Sequence, residues 1–353
     1  MKILQVGLGN FGMNHFRAWH ELGHGDSLRV AEVAEALHSR ATTLRFPADR
    51  IATRTDAFWA EADVVDVVTG TDAHYAVCRQ ALLDGKDVFV EKPMTLSVEE
   101  AVDLAGIVAE RGRVLQVGYY YRYHPIARWL RGQIAAGALG DLRYAYGSFM
   151  GFKRARNDVG VMHTDGIHFI DLFNFLFDAT PVDVYGVARD HFKRGLDDLA
   201  LGLFTYPGDL VARVEAGYIQ PGEWRDKVVP GAMTTKSITV VGSRRTVVAD
   251  FEAERTTMYD VHHELRDGVW TAVQGDVVSP AIPAASPLDQ IKAELADFLA
   301  CVGARRRPAA DSVTSGVNLA VIIDAFSQSA RERQRLPIAI PRVSAPAPAD
   351  AGR

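Results

Sequence analysis

Short β-rich runs recur through the first third of the chain at Ile3 to Val6, Leu28 to Ala34, Val64 to Thr69 and Val88 to Val90, with segments of helical periodicity between them. Strands of about six residues spaced by amphipathic helices predict βαβ units and a parallel sheet. The run Val64-Val65-Asp66-Val67-Val68 reads as a strand buried on both faces. After about residue 120 the pattern changes. Longer alternating segments at Asp141 to Phe149, Val182 to Ala188, Ala200 to Tyr206, Leu210 to Tyr218, Ser237 to Val241 and Thr246 to Asp250 predict a second domain built on a mostly antiparallel sheet. Near the end, Ser286-Pro287-Leu288 carries the cap and first-turn proline of a helix containing Ile291, Leu295, Phe298 and Leu299. Another helix is expected over Ser315 to Arg333. The stretch from Pro341 to Arg353 has almost no large apolar side chain and reads as a mobile tail.

Composition narrows this little and charge a little more. With 353 residues the chain is long enough for two domains. Its 39 Lys and Arg against 44 Asp and Glu leave no basic tract that would track nucleic acid. No stretch reaches the roughly 18 apolar residues of a membrane span, and the first residues lack the apolar core of a signal peptide. Two cysteines, Cys78 and Cys301, form no disulfide framework or metal-ligand spacing. These features read as a cytoplasmic protein with no metal, no membrane and no nucleic-acid partner.

The chemistry begins directly after the first strand. Gly7-Leu8-Gly9-Asn10-Phe11-Gly12 fits Gly-x-Gly-x-x-Gly between a strand and a helix, the setting that turns a weak motif into a dinucleotide fingerprint. Gly7 allows the tight turn, Gly9 the approach of a pyrophosphate, and Gly12 the packing of helix on strand. Glu35 lies 23 residues beyond Gly12, near the ~20 expected for the acid that binds the adenosine ribose. A carboxylate there repels a 2′-phosphate and no arginine is adjacent, so NAD(H) is expected over NADP(H), with Arg40 as the nearest complication. A merely solvated strand end is the alternative for Glu32 or Glu35. At the end of another buried strand, Glu91-Lys92-Pro93 presents an acid, an amine and a proline where open α/β sheets bind ligands.

These motifs, followed by Gly166-Ile167-His168 and Asp171, resemble the glucose-fructose oxidoreductase / inositol dehydrogenase (Gfo/Idh/MocA) family. The likeness runs nearly end to end through Thr71 and His74, Gly118 to Arg122 and Pro125, Ile238 to Ser243, Pro308, and Ser329-Ala330-Arg331. The resemblance implies an α/β chain: a Rossmann domain over 1–119, then an α+β domain over 120–340 whose open sheet forms homodimers or homotetramers, with the active site between domains. In this family the lysine of Glu-Lys-Pro contacts the reacting oxygen and the nicotinamide ribose, often beside a cis proline. Cofactor contacts then fall to Gly7, Gly9, Asn10, Phe11, Gly12, Glu35, Thr71, His74, Glu91, Lys92 and Pro93.

Removing hydride from a secondary alcohol also requires its hydroxyl proton to leave, so the site needs a base and a positive group. His168 suits the first task and Lys92 the second. Many family members carry an aspartate four residues before this histidine, where this chain has Thr164; Asp165 follows it. On a helix over Thr164 to Phe175, Asp165 either orients the imidazole or caps the helix. His163 and Thr164 are candidate substrate contacts. Substrate recognition is also expected from Tyr121, Arg122, His124 and the loop Lys153-Arg154-Ala155-Arg156-Asn157-Asp158, within which Arg156 and Asn157 are singled out. The expected reaction interconverts an alcohol and a ketone on a sugar, inositol or related polyol. The Thr164 departure leaves open a nicotinamide-binding sensor, and a tightly bound NAD leaves open net elimination, epimerisation or glycosidic cleavage.

Overall fold

The computed structural model describes residues 1–308 and 312–341. The segment read as a tail lies outside the described residues beyond Pro341. Contacts divide the chain into two units: Met1–Tyr120 with Ser286–Ala320 and the residues from Ile340, and Tyr121–Ala285 with Val321–Ala339.

The first unit is built on six parallel strands in the order β3-β2-β1-β4-β5-β6: β1 (Ile3–Val6), β2 (Leu28–Ala31), β3 (Ile51–Ala52), β4 (Val64–Val67), β5 (Asp87–Glu91) and β6 (Leu115–Gly118). Helices α1 (Gly12–Glu21), α2 (His38–Thr42), α3 (Asp56–Trp59), α4 (Thr71–Leu83) and α5 (Val98–Arg111) lie between them. Every residue of β1, β4, β5 and β6 is buried, as near-continuous apolar runs require of a sheet covered on both faces. The second strand is shorter than Leu28 to Ala34. It ends at Ala31 because Glu32 turns its carboxylate back on the chain and accepts from the Ala34 amide (2.9 Å).

The second unit holds a ten-stranded sheet, antiparallel except where β7 and β10 run parallel. Its strands are β7 (Leu142–Phe152), β8 (Asp183–Arg189), β9 (Leu199–Thr205), β10 (Val211–Gly217), β11 (Trp224–Arg225), β12 (Met233–Gly242), β13 (Thr246–Asp250), β14 (Arg255–Arg266), β15 (Val269–Val278) and β16 (Arg335–Pro337). The order is β15-β14-β13-β12-β7-β10-β9-β8-β16, with β11 beside β12. Helices α6 (Pro125–Ala135) and α7 (Ile167–Phe177) belong to this unit. The hairpin of β14 and β15 has no counterpart among the strands expected from alternation.

One segment changes allegiance. Helix α8 (Pro287–Ala304) follows the second sheet in sequence, yet Ser286–Ala320 groups with the first unit rather than with a continuous 120–340 domain. The reason is its apolar face: Phe298 meets Phe89 of β5 (5.7 Å between ring centroids), and Gln116 of β6 donates to the Glu294 carbonyl (3.2 Å). The expected start holds, since Ser286 and Asp289 form a reciprocal capping box around Pro287. The last helix, α9, spans Ser312–Glu332.

Candidate functional site

The glycine turn is held tightly everywhere except where a ligand needs room. Gly7 has φ 106°, and a Cβ there would stand 2.4 Å from the Val68 carbonyl oxygen. A Cβ on Gly12 would meet the Gly7 carbonyl at 2.6 Å. The Gln5 amide donates to the carbonyls of Gly7 (2.8 Å) and Gly12 (2.9 Å), pinning turn to helix. At Gly9, by contrast, a Cβ would meet nothing within 4 Å, so the fold itself does not require a glycine there. Helix α1 starts at Phe11 without a side-chain cap; in its first turn Met13 donates its amide to the Gly9 carbonyl (3.0 Å) and Asn14 to that of Phe11 (2.8 Å). Open space over Gly9 at the start of a helix fits the pyrophosphate of a dinucleotide. Gly9→Val is therefore expected to keep the wild-type melting temperature within a few degrees while weakening NADH binding at least about tenfold, or ~1.4 kcal/mol. Fluorescence titration beside a thermal melt checks this.

The acid beside this turn is Glu32, not Glu35. Glu35 opens an exposed 3₁₀ turn, whereas Glu32 is buried at the strand's end and accepts from the Leu8 amide (2.6 Å). The strand stops three residues earlier than expected, which moves the carboxylate position back by the same amount. Arg40 lies over the turn and donates to the Asn10 side chain (3.0 Å).

On the same C-terminal edge of the parallel sheet, β5 delivers Glu91-Lys92-Pro93, with the Lys92–Pro93 peptide cis. Thr71 is buried in the first turn of α4, and His74 of that helix hydrogen-bonds the carbonyls of Pro93 (2.8 Å) and Thr69 (3.3 Å). Glu91 receives the Lys92 amide on one oxygen (3.2 Å) and His15 Nε2 on the other (3.2 Å). His15, fully buried, places its Nδ1 3.1 Å from both oxygens of Asp66. Trp19 donates to the same carboxylate (2.7 Å). Burial alone would strip the proton from His15, but the Asp66 charge and the hydrogen bonds to Asp66 and Glu91 outweigh it and push the pKa up to about 10.

The sequence reading missed this network. Its signal was Asp66, a carboxylate inside an apolar strand, which demands a buried partner. Because the folded-state pKa of His15 lies above its ordinary 6.5, the stability it contributes is complete below about pH 6.5 and disappears as pH rises towards 10. The melting temperature should accordingly fall between pH 7 and 10. His15→Gln should start lower and show a flatter profile over that window; identical slopes would contradict the assignment.

In the second unit, a single aromatic floor carries the other candidate groups. His168, buried on α7, lies edge-on to Tyr121 (5.2 Å) and stacks at 5.8 Å on Phe149 of β7. Lys153 sits over Phe149 (4.8 Å) and pairs with Asp165 (2.8 Å). Lys236 faces Phe149 as well (5.0 Å) and is neutralised by Asp226 (3.0 Å) and Glu252. Thr164 donates to the Val161 carbonyl (3.2 Å), so the hydroxyl of Tyr218, 2.6 Å away, donates to it. Burial, reinforced by Asp165, raises the pKa of Tyr218 and keeps that phenol protonated.

Two expectations change here. The helix does not run from Thr164: a π-helical turn over Met162–Gly166 precedes α7, and Gly166 occupies the junction. Asp165 is thus no cap; its carboxylate holds Lys153. Arg122 is not directed at a substrate, because its guanidinium grips Asp171 through Nε (2.8 Å) and Nη2 (2.5 Å) in the interior. In the loop, Arg156 is paired with Asp158 and Asn157 is exposed. His163 is half-buried, its pKa lowered by burial, and among the described residues its Nδ1 has no hydrogen-bond partner. Among the described residues, no group of three His, Cys, Asp or Glu is placed to hold a metal ion, and no helix is long and apolar enough to cross a membrane.

Comparison with known proteins agrees with this architecture. Residues 1–119 match the model described as an oxidoreductase family with an NAD-binding Rossmann fold, and residues 127–248 match the GFO/IDH/MocA C-terminal domain. UDP-N-acetylglucosamine 3-dehydrogenase of Acidithiobacillus ferrooxidans is 29% identical over 92% of this chain and 97% of its own length. D-apiose dehydrogenase of Paraburkholderia graminis is 24% identical over 97% and 91%. The solved structure of the Acidithiobacillus enzyme aligns with a TM-score of 0.76 at 26% identity, covering 94% of this chain and 98% of that one. Levoglucosan dehydrogenase in complex with NADH, at 17% identity and a TM-score of 0.79 over 96% and 99%, shares the fold. With both domains matched and these relatives aligned along nearly their whole length, the chain belongs to the Gfo/Idh/MocA family of NAD-binding oxidoreductases.

Proposed function

We propose that the protein is an NAD-dependent dehydrogenase interconverting a secondary alcohol and a ketone on a sugar, inositol or related polyol. The observation that carries this reading is the placement of Lys92 at the C-terminal end of a buried parallel strand, on the edge that also bears the open glycine turn. Gly7, Gly9 and Gly12 with the start of α1 receive the pyrophosphate, Glu32 the adenosine ribose, and Thr71, His74 and Pro93 shape the nicotinamide end. Bound there, the nicotinamide ring supplies the hydride acceptor. Lys92 donates a hydrogen bond to the substrate oxygen and stabilises the negative charge that grows on it. His168 takes the hydroxyl proton and returns it in reduction. Tyr121 lies against His168, while Asp165 balances the charge of Lys153 on the same floor.

The sugar or polyol class draws on relatives that act on UDP-N-acetylglucosamine, D-apiose and scyllo-inositol. A panel of polyols, keto-sugars and UDP-N-acetylglucosamine, followed at the reduced-nicotinamide band, tests it. NAD(H) is favoured because the Glu32 carboxylate stands where a 2′-phosphate would arrive. NADH should bind at least about tenfold more tightly than NADPH, a difference of ~1.4 kcal/mol, and Glu32→Ser should narrow the gap. Tighter NADPH binding in titration overturns this preference. Self-association through the second sheet fits the exposed Leu265, Val269, Trp270 and Val277 on the β14–β15 hairpin. A monomer in light scattering would contradict it.

A further inference from the structure

We infer that His15 is a positioning residue: through Glu91 it fixes the strand end from which Lys92 emerges and ties that strand end to the helix that begins at the glycine turn. The inference rests on the reading of Lys92 given above.

The geometry is that of a crossbeam. His15 lies on the inner face of α1, three residues beyond Gly12, with no exposed surface. One ring nitrogen faces Asp66 in the middle of β4 and the other faces Glu91 at the last position of β5. Asp66 is anchored again by Trp19, one turn further along the same helix. Glu91 occupies the room that Gly118 of β6 leaves, where a Cβ would stand only 2.3 Å from its Oε1. Its second oxygen accepts from the amide of Lys92 itself. The chain of contacts therefore runs from the helix that receives a phosphate, through an imidazole held between two carboxylates, to the backbone of the reacting amine.

A core filled only for stability would more simply use apolar side chains here, because a buried ion cluster must repay a large desolvation penalty. What such a cluster adds is direction: it supports one orientation of Glu91, and hence of the peptide preceding Lys92. Helix α8 brings Glu294 to the same place, where its Oε1 would lie 3.3 Å from a Cβ on Gly118. The beam thus places the His15 imidazolium between Asp66 and Glu91, with a third acid beside it.

The test is a double-mutant cycle with a chemical readout beside it. His15→Gln and Glu91→Gln should each lower kcat at least tenfold on whichever panel substrate the wild-type enzyme turns over. The dissociation constant for NADH should stay within twofold. In a Lys92→Ala background, either substitution should lower kcat by less than twofold further, since the group it positions is already gone. Independently of any substrate, trace acetylation with acetic anhydride, read by peptide mass spectrometry, should label Lys92 at least threefold faster in folded Glu91→Gln than in wild type. Exposed Lys193 should be unchanged. Full effects that multiply with Lys92→Ala, or unaltered Lys92 labelling, overturn the positioning role while leaving Lys92 as the polarising group. If Lys92→Ala keeps full turnover, the reading of Lys92 fails instead, and the labelling alone decides whether the tether exists. Should His15→Gln fail to fold, Glu91→Gln carries both measurements.

Discussion

Lys92→Ala is expected to bind NADH as tightly as the wild type and to lose roughly a hundred- to a thousandfold in kcat, the usual effect of removing one donor from a developing oxyanion. The expectation follows from position. Lys92 follows a strand whose five residues are all buried, and its neighbours are held on both sides, Glu91 by His15 and Pro93 through its carbonyl by His74. The glycine turn stands on separate supports, Gln5 and Glu32, so truncating the amine leaves the phosphate end of the cofactor site intact. Turnover and cofactor affinity should therefore separate. Steady-state kinetics beside a fluorescence titration distinguish this from general damage, which would weaken both. Activity of the variant within threefold of wild type would remove Lys92 from the mechanism.

The largest effect on stability is expected at Arg122→Met. Asp171 is buried in the second unit, and burial already pulls its pKa upwards against the opposing pull of Arg122. Removing the guanidinium leaves that carboxylate with neither of its two charge-assisted bonds, a loss of about 3–5 kcal/mol for a broken buried pair. At ~2–4 °C per kcal/mol, the melting temperature should fall by on the order of 10 °C. The variant should lose more at high pH, because an unpaired buried Asp171 is tolerated protonated and not ionised. Pairing the change with Asp171→Leu should recover most of the loss, as apolar replacements of buried ion pairs generally do. A single variant that melts within ~2 °C of wild type would show that the pair carries no structural weight, and would return Arg122 to the substrate contacts.

The legible parts of this molecule were those governed by local rules. The strand Ile3–Val6, the Gly7 to Gly12 turn after it, and the Ser286-Pro287 helix start are each determined within a few residues, and each stands where periodicity and capping chemistry put it. Glu35 was misplaced because strand length was read from apolar character through Ala34, whereas the strand stops where Glu32 binds its neighbours' amides. The β14–β15 hairpin escaped because most of its residues are exposed and the alternation is blurred. Its turn was nonetheless announced by Asp267-Gly268, which both adopt positive φ (50° and 78°), as a two-residue hairpin turn demands.

Arg122 and Asp171 are 49 residues apart and His15 and Glu91 are 76, and no local pattern pairs charges over such distances. The family resemblance named Lys92 and His168 as a working pair. It gave no hint that Asp165 would hold Lys153, because that depends on how the π-helical turn at Met162–Gly166 faces β7.

Hydride transfer between a polyol carbon and NAD is the activity proposed for this chain. Its most direct test is a single-turnover experiment: enzyme at stoichiometric concentration with NAD⁺, mixed with each member of the polyol and sugar-nucleotide panel, and followed by absorbance of reduced nicotinamide. Rapid appearance of bound NADH is expected with at least one member, absent in Lys92→Ala. That design also detects a cofactor reduced and reoxidised without release. Tight NADH binding with no absorbance change across the whole panel would contradict hydride transfer and favour a nicotinamide-binding sensor.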